Sequence, residues 1–193
     1  MTGNVNPIPP GYHTATPYLV VSNAAAAIEY YMNAFGATEL MRFPGPGGKV
    51  LHAEIKIGDS PIMLADEMPE MGAKSPEAFG GSPVGIMLYV SDVDAVYKQA
   101  IAAGGKEVRP LQNQFYGDRS GTLIDPYGHK WTVGTHIEDV SMEEMQRRMQ
   151  AMPQPAPPPP TTEKPVRQHK PAKAKAKAKP KAKPKAKAKK KKR

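Results

Sequence analysis

His52 and Glu54 stand two residues apart in the run VLHAEIKI. In an extended strand that spacing puts an imidazole and a carboxylate on one face. The pair can bind a polar ligand. With His13 or His136 it would supply a two-histidine, one-carboxylate metal set. The five histidines are scattered, with no HxH or HExxH spacing. No cofactor is therefore expected, and a divalent metal held by His52, Glu54 and His13 stays as the alternative. In the plainer reading Glu54 pairs with Arg119 or Lys56, and His52 bonds a substrate or a neighbouring strand.

Asp118-Arg119, with Tyr116 two residues before Asp118, is the second constellation. A guanidinium grips a carboxylate or phosphate bidentately, and Tyr116 adds a hydroxyl. Equally, Asp118 caps the turn and Arg119 pairs with an inner carboxylate such as Glu54. His129, after Gly128, reads as a turn residue, and Trp131 as core.

The elements that must position these residues occur twice. A strand over about His13–Val21 precedes a cap at Ser22 or Asn23. The helix AAAAIEYYMNAF follows, stopped by Gly36. Strands Thr38–Phe43, Val50–Ile57 and Ser60–Ala65 come next, separated by PGPGG and Gly58-Asp59. Residues 67–83 are a polar connection. The pattern then restarts: strand Gly85–Val90, cap Asp92, helix VDAVYKQAIA, and strands Lys106–Leu111, Arg119–Ile124 and His129–Thr135. YLVVSN and MLYVSD match at a shift of 69 residues, Leu19 onto Leu88 and Ser22 onto Ser91. The chain thus carries two βαβββ modules, 12–66 and 84–139, of α+β class. Side by side they build a curved mixed sheet, with helices outside and a cleft inside.

Alternation predicts which side chains line the cleft. Ala53, Ile55 and Ile57 face the helices, leaving His52, Glu54 and Lys56 inward. By the same rule Thr14, Thr16, Tyr18, Met63, Gly85, Met87, Tyr89 and Thr132 face inward, with His136 beyond them. The candidate ligand-binding residues are therefore His52, Glu54, Thr16, Tyr89, Tyr116, Asp118, Arg119, Thr132 and His136, for a small polar or anionic ligand.

HTATPYLVVSNAAAAIEYY, HAEIKIGDSPIMLADE and FYGDRSGTLIDPYGHKW resemble the vicinal-oxygen-chelate superfamily, most closely its PhnB-like branch. That superfamily includes glyoxalase I, extradiol dioxygenases and bleomycin-resistance proteins. The resemblance implies a glyoxalase-like small-molecule binding protein or enzyme, and a homodimer. It also implies metal ligands on the first and last strand of each module, at Thr16, Met63, Gly85 and Thr132. Met and Gly offer neither imidazole nor carboxylate, so the usual metal site is not expected here.

Formal charge divides the chain. Residues 154–193 hold sixteen Lys or Arg and one Glu, net +15, leaving 11 basic and 17 acidic groups, net −6, in the rest. Residues 140–153 carry a capping box, Ser141 with Glu144, and a Met stripe at 142, 145, 149 and 152 suited to docking on the sheet or on a second subunit. The Pro-rich spacer and Lys/Ala/Pro tail beyond resemble linker-histone tails in composition. They are expected to be disordered and to bind nucleic acid or another polyanion. The alternative function is a nucleic-acid-associated protein acting through that tail, with the globular part as dimeriser or ligand sensor. Residues 1–11, rich in Pro and Gly, are expected to be loosely ordered. Absence of cysteine removes disulfides and thiolate metal sites. No transmembrane run or signal peptide is read, so the expected location is cytoplasmic, with nucleoid association through the tail.

Overall fold

The computed structural model describes residues 5–153; the Lys/Ala/Pro tail lies outside the described residues. Fourteen elements include β1 (Tyr18–Val21), α1 (Ala24–Phe35), β2 (Thr38–Pro44), β3 (Val50–Ile57) and β4 (Ser60–Asp66) in the first module. The second contains β5 (Gly85–Tyr89), α2 (Val93–Ala102), β6 (Lys106–Asn113), β7 (Asp118–Ile124) and β8 (Lys130–His136). α3 (Met142–Ala151) follows, and three short 3-10 turns complete the set.

Each module forms its own four-stranded mixed sheet, ordered β1-β4-β3-β2 and β5-β8-β7-β6. The first strand pairs parallel with the last, and the helix between them is the crossover that parallel pairing requires. Asn23 and Asp92 cap the helices, each side chain accepting an N–H three residues on, from Ala26 and Ala95. Gly36 ends α1 in the left-handed region that glycine enters at no steric cost. Asp66 ties the first module together. Its buried carboxylate accepts the Ala24 N–H at the start of α1 and the Val50 N–H at the start of β3.

The first strand is shorter than its sequence predicts. β1 begins at Tyr18 rather than His13. The parallel ladder continues through Met63 N–H to the Pro17 carbonyl. The next two rungs would need N–H groups from Pro17 and then Pro61, which have none, so residues 13–17 leave the sheet.

α1 and α2 pack beside each other, and the helix-facing sides of both sheets close on one common core. Trp131 is fully buried there, 4.7 Å from Phe35 and 5.4 Å from Tyr31 between ring centroids. Burying an indole of this size is worth on the order of 5 kcal/mol before entropy. The opposite face of each sheet is left open. In β3 Ala53, Ile55 and Ile57 are buried, so His52, Glu54 and Lys56 project from the open side, as alternation predicts.

α3 has no buried residue. Arg148 holds it, through a two-armed pair with Glu138 at 2.7 and 2.8 Å and a bond to Glu144 at 2.7 Å. Met142, Met149 and Met152 are exposed and Met145 is half-buried, so among the described residues the Met stripe is not covered.

Candidate functional site

The open faces carry two clusters of hydrogen-bonded polar side chains. The first lies on sheet one. Glu54, only 12% exposed, accepts bonds from the Tyr12 hydroxyl and from His52 Nε2 at 3.2 Å. The other His52 nitrogen, Nδ1, meets the Tyr18 hydroxyl at 3.1 Å. Both contacts suit the Nε2–H tautomer, with Tyr18 donating to Nδ1. Phe43 stacks on His52 from β2, at 6.1 Å between centroids and 27°. The Tyr12 bond is the leading cause that holds the Glu54 carboxyl below its usual range, and the same bond raises the Tyr12 phenol.

The second cluster lies on sheet two. Asp118 is 4% exposed. It accepts the Tyr89 hydroxyl at 2.7 Å and meets His136 Nδ1 at 2.8 Å. The second His136 nitrogen faces Asp139 at 3.1 Å. With a carboxylate on each side the imidazole's pKa is raised, Asp118 contributing most. The bond to Asp118 raises the Tyr89 phenol. Thr122 and Thr132 share a hydroxyl bond of 3.1 Å on the same face.

Several expected positions are corrected. Arg119 lies on the helix side of β7, where it grips Asp94 of α2 at 2.6 and 2.8 Å and Asn113 at 3.2 Å. It therefore meets neither Glu54 nor the open face. The signal was present: Leu123 is buried core and shares Arg119's parity. Glu54 bonds Tyr12 and His52, and among the described residues no Lys or Arg lies within 4.0 Å of it. His13 sits on the surface, 3.8 Å from Asp59, away from His52 and Glu54. Thr16 precedes β1 and bonds only the His13 carbonyl, at 3.4 Å. Tyr116 lies in the turn before β7, edge-on to Phe115. His129 is buried, not a free turn residue, and bonds the Val20 carbonyl of the first module at 3.1 Å.

Tyr12 was not among the sequence candidates. It belongs to the Pro- and Gly-rich stretch, and no local pattern ties it to a residue 42 positions on. Asp125 was missed likewise, as a turn residue. It is buried, and it accepts the Tyr31 hydroxyl and the Trp131 indole N–H.

Residues at the metal positions implied by the resemblance do not fit a divalent ion. The parallel registers set Tyr18 opposite Met63 and Met87 opposite Thr132, two residues beyond Thr16 and Gly85. Neither set contains an imidazole or a carboxylate. Among the described residues no group of three or more His, Asp or Glu is placed to hold a metal.

Two cavities lie where the modules meet. One of about 600 Å³ is bounded by Tyr18, Val20, Phe79, Val84 and His129. The other, about 650 Å³, lies behind β5 against Phe35, Leu88 and Trp131. Neither reaches His52, Glu54 or Asp118. Tyr18 of the first cluster lines the one cavity and Tyr89 of the second lines the other, so each cavity borders a polar cluster.

Comparison with known proteins agrees with the fold. The chain is 47% identical to an uncharacterized protein of Mycobacterium bovis over 137 residues, 69% of this chain and 90% of that one. It is similar to the crystal structure of TioX from Micromonospora sp. ML1, with a TM-score of 0.51, 26% identity, and coverage of 67% of this chain and 99% of that one. A PhnB protein from Bacillus cereus, titled a putative 3-demethylubiquinone-9 3-methyltransferase, shares the fold at a TM-score of 0.50 and 20% identity, over 64% of this chain and 99% of that one. The family model of the Glyoxalase/Bleomycin resistance protein/Dioxygenase superfamily matches residues 12–133. With its two βαβββ modules and open sheet faces, the chain belongs to that superfamily.

Proposed function

We propose that this protein binds a small molecule on the open faces of its two sheets, in a cleft that a second copy of the chain completes. One observation carries the reading. Two clusters of hydrogen-bonded polar side chains, Tyr12-Tyr18-His52-Glu54 and Tyr89-Asp118-His136, stand on faces that no helix covers. Among the described residues no hydrogen bond or aromatic contact joins the two faces. Among the described residues the side-chain bridges between the modules run instead by the helix side or by His129, as in Tyr31–Asp125, Gln99–Asn33 and His129–Val20. A sheet of one copy set against the sheet of another makes the missing concave site. β1 and β5 are both edge strands, and pairing would cover edges that are otherwise a liability.

No cofactor is needed for binding by hydrogen bonds and ring faces. The test is a thermal-shift screen of small polar and aromatic compounds on the full chain, with light scattering at micromolar concentration. Binders whose shift is lost in both His52→Ala and Tyr89→Phe, on a dimer, support the reading. Binders indifferent to both substitutions, or a monomer, overturn it.

A second reading concerns residues 154–193. Their net charge of +15 beside −6 for the rest suits them to a polyanion, nucleic acid being the commonest. This activity is separate from the cleft and locates the protein on the nucleoid rather than defining its ligand.

A further inference from the structure

We propose that the Glu54 cluster is an aromatic cage for an alkylammonium group, and hence that the ligand of the open face is a cation. The inference rests on the small-molecule reading above and deepens it.

Glu54 is an ionised carboxylate held on a sheet face at 12% exposure, and among the described residues no Lys or Arg lies within ion-pair distance. Its partners among the described residues are the Tyr12 phenol and the His52 imidazole. Such bonds satisfy oxygen lone pairs but do not cancel the charge. A partly buried carboxylate without a cation is costly, and a bound cation would offset that cost.

What surrounds it is aromatic. Tyr18 lies 5.6 Å from His52 between ring centroids, Phe43 lies 6.1 Å from it, and Tyr12 reaches Glu54 through its hydroxyl. Tyr18 and Phe43 both pack against the His52 ring, yet they are 50% and 52% exposed, which leaves part of each ring open to a ligand. Rings carry negative potential on their faces and attract a cation within about 6 Å of the centroid. Quaternary and other alkylated ammonium groups suit such a site. They are weakly hydrated, they present methyl groups to ring faces, and they need no directed hydrogen bond.

The test is a titration of the full chain followed by amide NMR of β3, using choline and its uncharged carbon isostere 3,3-dimethylbutanol as probes. The two share shape and differ in charge. The expected result is saturable shifts at residues 52–56, with choline binding at least tenfold tighter than the alcohol. Glu54→Gln should abolish that difference while leaving other amide positions unchanged. Tyr18→Ala and Phe43→Ala should each weaken choline severalfold. Equal affinity for the two probes in the wild type, or a preference for choline that survives Glu54→Gln, overturns the cage. If only the alcohol shifts these amides, the cage is wrong and the small-molecule site stands. If neither probe shifts them, the cage is wrong, and binders from the screen that still depend on His52 decide the wider reading.

Discussion

Tyr31 of α1 donates its hydroxyl to Asp125 of the second module at 2.7 Å, in a setting where both residues are buried. Burial is the leading reason, and the neighbouring carboxylate the next, that the phenol is raised well above its ordinary value and stays a donor. Asp125 also accepts the Trp131 indole N–H and the backbone N–H groups of Tyr127 and His129. One carboxylate thus organises the β7–β8 turn and joins the two modules.

Tyr31→Phe leaves that carboxylate one partner short. Removing one partner of a buried hydrogen bond costs about 1–3 kcal/mol. Urea unfolding should show a loss in that range with an unchanged slope. A variant as stable as the wild type would show that Trp131 and the backbone donors suffice without Tyr31.

His136 makes stability depend on pH in a definite direction. Its folded pKa is raised, so the stabilisation is complete below the ordinary histidine value and fades as pH rises through the raised value. Unfolding midpoints from acidic through mildly alkaline pH should fall across that window. His136→Gln should flatten this part of the profile. An equal fall in the variant would assign the effect to another group.

Arg119→Ala should leave probe binding at the β3 face unchanged, because the guanidinium lies on the helix side with Asp94. Asp118→Asn should instead disturb sheet two, weakening the acceptors for Tyr89 and His136. Amide spectra of the two variants separate these outcomes. Loss of probe binding in Arg119→Ala would mean the side chain swings to the open face.

For the tail, the expected outcome is DNA retardation by the full chain and none by a chain ending at Pro153. The logarithm of affinity should fall with the logarithm of salt by about 0.9 per phosphate contacted. No aromatic residue lies in 154–193, so single strands should gain little from base stacking. Retardation by the shortened chain equal to that of the full one would remove the tail from the role.

The amino-acid sequence by itself determined whatever depends on neighbours along the chain. Asn23 and Asp92 are read as caps, and they cap. Ala53, Ile55 and Ile57 alternate with His52, Glu54 and Lys56, and a pleated strand with one greasy side can face the core in only one register. The match of YLVVSN with MLYVSD shows the doubled module before any fold is seen. Only the tertiary structure decided what depends on residues far apart. Nothing local brings Tyr12 to Glu54, or Tyr31 to Asp125 across 94 positions. Arg119 was chosen for its charge, yet its place on β7 follows the parity set by buried Leu123, which turns it to α2. β1 stops at Tyr18 because the rungs below need N–H groups that Pro17 and Pro61 lack, and that these two prolines fall on successive rungs is visible only once the β1–β4 register is known. Periodicity is a property of one segment, whereas the Tyr12-Tyr18-His52-Glu54 cluster is a property of three segments meeting.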